Sequence, residues 1–223
     1  GEPQDRLPEA LPAERRAEGW RLACQCQVFD DLQVEPFDPQ RDGMPAEVLS
    51  ADWLSPRVLR LRLQPSRPLR YRPGQHLVLW CGEVARPYSL ASVPAEDIWL
   101  EFHIDCGYSG AFADAARALA VGDTLRLGEL RGGALHYDPD WQARPLWLLA
   151  AGTGLAPLFG VLREALRQEH AAPIRLLHVA AEPAEHYLAE PLQTLATAYP
   201  QLQVEQVTAA QLPAALAELR LVS

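Results

Sequence analysis

Residues 145–157 read PLWLLAAGTGLAP, an apolar run followed directly by a glycine-rich loop. The run PLWLLAA is fully apolar, which is typical of a strand buried on both faces of a parallel sheet. Gly152 and Gly154 allow a tight turn and a close approach of the backbone to a ligand. The next residues, LFGVLREALRQE, have helical spacing, so this stretch predicts a strand, a loop and a helix in that order.

The chain continues this alternation to its end. PIRLLHVA is a second apolar strand, AEHYLAEPLQTLATAY a second helix and LQVEQVT a third strand. Strand, helix, strand, helix, strand is the signature of a doubly wound α/β domain. We therefore predict such a domain over residues 144–223, and we expect it to be C-terminally incomplete because a further strand begins near Leu221.

Residues 44–143 have a different period. Several segments alternate apolar with polar residues, as half-buried antiparallel strands do. Six segments of this kind predict a small antiparallel β-barrel. The six are AEVLSADWL, RVLRLRLQ, QHLVLWC, RPYSLAS, DIWLEFHI and DTLRLGEL. One interruption, GAFADAARALAVGD, has helical spacing with Phe112, Ala116 and Leu119 on one face.

Residues 1–43 are irregular and rich in Pro, Glu and Arg, and PFDPQRDGMP at residues 36–45 predicts a linker. The net charge of −9 argues against nonspecific nucleic-acid binding. No apolar run approaches the roughly 20 residues of a membrane helix, and no secretory segment opens the chain. We expect a cytoplasmic protein with no membrane partner. The six histidines lack HxH or HExxH spacing, which predicts no metal site.

The glycine loop suits an anion. The N-terminus of the following helix offers unpaired N–H groups and the positive end of its dipole, and Pro157 is tolerated near a helix start. The pattern is GxGxxP rather than the full GxGxxG fingerprint. A tight turn without any ligand is the alternative, but ligands bind at this end of a parallel strand.

The strand RPYSLAS carries a second candidate site. Alternation places Arg86 and Tyr88 on one face of the strand, separated by Pro87, while Ser89 points the other way. An Arg fork suits a phosphate, a Tyr ring offers a flat face to an aromatic ring system, and a Ser hydroxyl can donate to a ring nitrogen. The alternative is an exposed strand that carries these residues by chance.

Together, RPYSLAS and GTGLAP resemble the flavin motif and the nicotinamide-nucleotide loop of the ferredoxin–NADP reductase superfamily, in the order of that family. The resemblance implies an FAD-binding β-barrel over residues 44–143 and an NAD(P)-binding domain over residues 144–223. It also implies that NAD(P)H passes electrons through FAD to a protein acceptor, a ferredoxin or an oxygenase component.

The resemblance assigns roles residue by residue. Arg86, beside Pro87, would bind the flavin phosphate, and Tyr88 would stack on the isoalloxazine. Ser89 would bond the N5 region and Thr153 would lie near the nicotinamide, which makes these two the candidate catalytic residues. Further cofactor-binding candidates are Gly152, Gly154 and Pro157 in the nucleotide loop, and Gly107, Ser109 and Gly110 of GYSGAF at the FAD pyrophosphate.

The first residues resemble the end of a plant-type ferredoxin domain. In GWRLACQCQVFDDLQVE, Cys24 would be the fourth ligand of a two-iron two-sulfur cluster. The other three ligands would come from an upstream C-x4-C-x2-C, which this chain lacks. We therefore expect no complete iron–sulfur cluster here.

Three departures from the family pattern bear on function. Asp105 stands where relatives often carry a basic residue, and its carboxylate would repel a flavin phosphate. Glu182 follows the second parallel strand, where it could accept from a ribose hydroxyl but would oppose a 2′-phosphate, which favours NADH over NADPH. The C-terminal Cys-Gly segment of the family is absent. Two alternatives stay open, a reductase that releases free reduced flavin and a non-catalytic scaffold that has lost its cofactor.

Overall fold

The computed structural model describes residues 3–11 and 13–220. Its contacts divide the chain into two compact units, residues 1–37 and residues 38–223. The first unit has little regular structure, namely β1 (Gln4–Asp5), α1 (Ala13–Ala17) and β2 (Cys26–Gln27). The strands β1 and β2 pair antiparallel, and the Cys26 thiol contacts the Asp5 carboxylate at 3.6 Å.

The second unit opens with the predicted barrel. Its elements are α2 (Pro39–Asp42), β3 (Met44–Trp53), β4 (Val58–Pro65), β5 (His76–Cys81), β6 (Val84–Ser89), β7 (Leu100–Asp105), α3 (Ala111–Arg117) and β8 (Thr124–Arg131). The strands are antiparallel in the order β6-β5-β8-β3-β4-β7. A bridge between Leu90 and Phe102 joins the two edge strands, which nearly closes the barrel.

Period-two alternation builds this barrel. In β4, Leu61 and Leu63 are fully buried in its core, while Arg60 and Arg62 lie on the outer face. Each buried leucine contributes about 1.5–3 kcal/mol relative to an exposed one. The alternation therefore determines which side chains face outward and can contact residues outside the barrel core.

A parallel sheet follows. Its elements are β9 (Leu146–Ala151), α4 (Leu155–Arg167), β10 (Ile174–Ala180), α5 (Ala189–Ala198), β11 (Leu202–Thr208) and α6 (Leu212–Arg220). The strand order is β11-β10-β9. Helices α4 and α5 cover the face of Leu148 and Leu176, and α6 packs on the opposite face at Leu177 and Val207. Helices on both faces confirm the predicted doubly wound arrangement.

Helix boundaries are where the structure departs from the sequence pattern. The helix expected over residues 184–199 begins only at Ala189, because Leu188 has a φ of 56° and Tyr187 is buried beside His103 instead of following a helical path. Helix α6 is not anticipated by the pattern. The further strand expected near Leu221 lies outside the described residues.

Helix α4 packs closely on the barrel. A Cβ added to Gly160 would lie 3.2 Å from the Ala91 carbonyl oxygen and 3.2 Å from Pro73 Cβ. Nearby, the Arg163 guanidinium donates to Asp97 at 2.7 Å across the same junction. The barrel and the parallel sheet therefore share one continuous packed boundary.

This close approach predicts that Gly160→Leu destabilises the protein by about 1–3 kcal/mol, because the added side chain overpacks the junction. Gly133→Leu is the matched control, since a Cβ there meets no atom within 4 Å. Urea unfolding measures both variants. Equal free energies of unfolding for the Gly160→Leu and Gly133→Leu variants would show that the junction can accommodate a larger side chain.

Candidate functional site

The RPYS strand lies at the edge of the barrel. Arg86 and Tyr88 stand opposite Leu79 and Leu77 of β5 and so share one face of β6. The Arg86 side chain is exposed, and its guanidinium donates to the carbonyl of its neighbour Ala85 at 3.0 Å. An exposed guanidinium at this position remains able to bind an anion.

Tyr88 connects this strand to α3. Its ring is half-buried with its centroid 5.0 Å from that of Phe112 at the start of the helix. Burial raises the pKa of Tyr88 to about 12, so the phenol stays protonated at neutral pH. The strand and the helix start, predicted separately as parts of one flavin site, are thus neighbours.

The loop before α3 is held by its own charges. The Ser109 hydroxyl donates to Asp114 at 3.1 Å, and the Arg117 guanidinium donates to Asp114 and to the Cys106 carbonyl. A Cβ at Gly110 would project into open space. The loop therefore leaves room beside Gly110, although the Ser109 hydroxyl is already engaged.

Asp105 is paired with a residue that the sequence pattern does not single out. Arg57 donates to both carboxylate oxygens of Asp105, at 2.8 and 2.9 Å, and to Glu185 at 3.1 Å. The hydrogen bonds from Arg57 lower the pKa of Asp105. The Arg57 guanidinium also lies 4.4 Å from the centroid of the Tyr108 ring. The negative charge expected to repel a flavin phosphate is therefore only partly offset, because Glu185 shares the same guanidinium.

This pair also explains Gly107. A Cβ at Gly107 would lie 2.3 Å from Arg57 Nε, so only glycine lets the arginine side chain pass beneath the loop. Gly107 thus has a packing role in addition to the cofactor-binding role implied by resemblance, which stays a prediction.

The glycine turn, Gly152–Gly154, joins β9 directly to α4. Gly152 has a φ of 50°, a conformation that glycine adopts without strain. A Cβ at Gly152 or Gly154 would meet no atom within 4 Å, so neither glycine is required by contacts with other described residues. Thr153 is half-buried between them, and Pro157 is buried in the first turn of α4. The open space beside the turn fits a bound anion.

Strand β7 brings the two motifs together. On one side, Leu90 follows Ser89 directly and bridges to Phe102 in β7. The turn that contains Thr153 also contacts β7 and the end of β10. Glu182 lies just beyond β10 and is exposed. The two candidate catalytic residues are therefore next to one strand, on segments from opposite halves of the unit.

A buried polar network on the outer face of β7 was not anticipated. Arg62 donates to Glu101 at 2.7 Å. The other Glu101 oxygen contacts His103 Nε2 at 3.1 Å, and His103 Nδ1 contacts the Tyr187 hydroxyl at 3.3 Å. The rings of Tyr187 and His178 then meet edge to face, with centroids 5.4 Å apart. This network runs from the barrel surface to the nucleotide half.

The comparisons with known proteins agree with this arrangement. Residues 148–217 match the family model of the oxidoreductase NAD-binding domain. The chain is 30% identical over 219 residues to the reductase component of the naphthalene 1,2-dioxygenase/salicylate 5-hydroxylase systems of a Ralstonia species, a match that covers 94% of this chain and 65% of that relative. The chain belongs to the ferredoxin–NADP reductase superfamily. The family resemblance of its two motifs is thereby confirmed.

Two further relatives support the same placement. The chain is 31% identical over 191 residues to reductase component 2 of the terephthalate 1,2-dioxygenase of a Comamonas species, covering 82% of this chain and 56% of that protein. Its fold matches the Amycolatopsis cytochrome P450 reductase GcoB with a TM-score of 0.69 at 28% identity, covering 88% of this chain and 62% of that one.

A second solved structure shows the fold alone. The ferredoxin–NADP+ reductase of Plasmodium falciparum matches with a TM-score of 0.67 at 17% identity, covering 75% of this chain and 71% of that one. The chain spans 56–65% of the length of the curated relatives above. The ferredoxin-like character of the first residues stays a prediction, and Cys24 is exposed.

The described residues contain neither a metal-binding cluster nor a membrane-spanning helix. No group of three or more His, Cys, Asp or Glu side chains within them could hold a metal ion. Within the same residues, no helix has the length and apolar character needed to cross a membrane.

The pairing of Glu101 predicts a pH-dependent stability. Although burial raises it, the pKa of Glu101 is held at about 2, below its ordinary value of 4.5, by hydrogen bonds from His103 and Arg62. The stabilisation is therefore fully present above pH 4.5 and is lost as the pH falls towards 2. Glu101→Gln should cost about 2–3 kcal/mol at pH 7, and this difference from the wild type should shrink below pH 4.5.

Urea unfolding of both proteins from pH 7 to pH 3 measures the effect. Glu47→Gln, on an exposed position of β3, is the control and should match the wild type at every pH. A Glu101→Gln deficit that stays constant with pH would contradict the assignment of the stabilisation to the ionised carboxylate.

Proposed function

We propose that the chain is the flavin- and nicotinamide-binding part of a reductase that moves electrons from NAD(P)H through FAD to a protein acceptor. The observation that supports this most is the position of β7, which contacts the end of the RPYS strand through Leu90 and the glycine turn around Thr153. Two motifs with separate cofactor chemistry therefore face a common boundary.

In this proposal the barrel binds the flavin. The exposed Arg86 guanidinium would bind its phosphate, with Pro87 fixing the strand between Arg86 and Tyr88. The half-buried Tyr88 ring would stack on the isoalloxazine, and Ser89 would donate to its N5 region. Room beside Gly110 would admit the pyrophosphate. When bound, the flavin would supply the redox chemistry, accepting a hydride and releasing electrons singly.

The parallel sheet binds the nicotinamide nucleotide in this proposal. The open space beside Gly152 and Gly154 would accept the pyrophosphate, and Thr153 would lie against the nicotinamide. Glu182 is exposed beyond β10, and Glu185 follows three residues later. Because Glu185 is paired with Arg57, the Glu182 carboxylate is the charge at this edge that would oppose a 2′-phosphate, which supports NADH as the preferred donor.

The acceptor is proposed from the relatives, whose names describe reductase components of dioxygenase systems. A ferredoxin or an oxygenase component is the corresponding partner class for this chain. We further propose a cytoplasmic location. All four cysteines are free thiols, as is typical of a reducing compartment.

The flavin proposal predicts that Arg86→Ala lowers bound flavin several-fold, because a charge-assisted hydrogen bond to phosphate is worth about 1.5–3 kcal/mol. The visible spectrum of the desalted protein measures occupancy, and chromatography of the released species separates FAD from FMN. Arg67→Ala is the control, since Arg67 is exposed beyond the far end of β4.

The outcomes separate the alternatives. Retained flavin with NADH-dependent reduction of an artificial acceptor supports the electron-transfer reductase. Flavin lost on desalting but reduced when added with NADH favours the free flavin reductase. A colourless protein that takes up no added flavin would contradict the proposal and favour the non-catalytic scaffold.

The nucleotide preference gives a separate prediction. Glu182→Arg should shift the ratio of NADPH to NADH affinity towards NADPH by about tenfold, because it replaces repulsion of the 2′-phosphate by a charge-assisted hydrogen bond. Glu190→Arg, on the exposed surface of α5, controls for the change in net charge. Isothermal titration calorimetry with each dinucleotide measures the two affinities and so their ratio. An unchanged ratio would place Glu182 away from the adenosine end of the cofactor.

A further inference from the structure

His178 is a fully buried histidine in the middle of an otherwise apolar strand. Its side chain is 0% exposed, and in the register of the sheet it lies beside Ala150 of β9, two residues before the glycine turn. Burying an imidazole is costly unless its polar atoms are used. We therefore looked to the polar contacts of the His178 ring, and not to packing alone, for the role of this residue.

One ring nitrogen serves the glycine turn. His178 Nε2 lies 3.1 Å from the Gly152 carbonyl oxygen, while Nδ1 has no hydrogen-bond partner within the described residues. The proton therefore sits on Nε2, which donates to the carbonyl. Burial lowers the pKa of His178 to about 4, so the ring remains neutral at physiological pH.

The hydrogen bond from His178 to the Gly152 carbonyl also constrains the N–H of Thr153. Because the peptide unit is planar and trans, the N–H of Thr153 points opposite to the Gly152 carbonyl. That carbonyl is directed inward at His178, so the Thr153 N–H is directed outward. A Cβ at either neighbouring glycine would meet nothing within 4 Å, so the space on the outer side is open. This is the side from which an anion could approach.

Neighbouring rings hold His178 in place. The Tyr187 ring meets it edge to face at 5.4 Å and an angle of 86°, and the Tyr187 hydroxyl contacts His103 of the barrel. The ring of His186, the residue before Tyr187, also meets it, with centroids 5.2 Å apart. A rotation of His178 away from Gly152 would therefore collide with packed aromatic side chains.

We propose that His178 is a positioning residue for nicotinamide-nucleotide binding, which fixes the Gly152–Thr153 peptide so that its N–H faces the pyrophosphate of the dinucleotide. This inference rests on the proposed function, because it assigns the anion beside the turn to that cofactor. His178 touches no substrate and acts through the backbone alone. The Gly152 carbonyl also accepts from the Leu155 N–H, and the added hydrogen bond from His178 holds the direction of the Thr153 donor from the sheet side.

The test compares two buried histidines. His170 is 1% exposed and contacts the Tyr137 hydroxyl at 3.0 Å, but it lies beyond the far end of α4. We expect His178→Phe to weaken binding of NAD+ to the flavin-loaded full chain about 3- to 10-fold, the value of one hydrogen bond. His170→Phe should leave the dissociation constant within about twofold of the wild type. Calorimetric titration gives the affinities, and thermal unfolding of each variant gives the loss of stability.

A second pair keeps the test decisive if the phenylalanine variant does not fold. His178→Gln and His178→Met have side chains of similar length, and only the first can donate to the Gly152 carbonyl. We expect the Gln variant to bind NAD+ about 3- to 10-fold more tightly than the Met variant at equal flavin content.

Each outcome bears on a different claim. Wild-type affinity in His178→Phe, equal losses in both histidine variants, or equal affinities of the Gln and Met variants would overturn the positioning role while leaving the proposed function intact. A wild-type protein that binds flavin but no NAD+ would overturn the nicotinamide site itself, and this inference with it.

Discussion

The outer face of β7 constrains the rest of the second unit. Its inner side chains belong to the barrel core, so Glu101, His103 and Asp105 lie on the outer face, where Glu101 and His103 are buried and Asp105 is partly exposed. A buried charge without a partner is strongly destabilising. Each of the three therefore has a partner, and Tyr187 and Glu185 connect this face to the nucleotide half, Tyr187 through His103 and Glu185 through the Arg57 that Asp105 also uses.

These pairings explain why two motifs far apart in the chain end at one boundary. The partners of β7 position the segment that follows β10, and Tyr187 of that segment packs on His178 of β10, which bonds the glycine turn. The geometry of the nucleotide loop is thus connected by direct contacts to a barrel strand. The local shape of the turn depends on residues that carry no recognisable motif.

Most of the fold follows from local pattern. The period of two in β4 and the strand and glycine turn at β9 depend on neighbours within a few residues, and the structure confirms them. The prediction that β9 is buried on both faces is wrong for the described residues, because Trp147 and Leu149 are exposed. The pairing of Arg57 with Asp105 depends instead on the register of two strands 48 residues apart. The late start of α5 has the same origin, because the helical spacing before Ala189 is overridden by burial of Tyr187 against the barrel.

The junction at Gly160 and the shared Arg57 guanidinium have a consequence for how this unit loses its structure. Separating the barrel from the parallel sheet would expose the packed surface of α4 and leave Asp105 and Glu185 without their common partner. Neither half can open at low cost while the other stays intact. Heat or denaturant should therefore melt residues 38–220 in a single cooperative transition, with the flavin strand and the nucleotide turn disordering together.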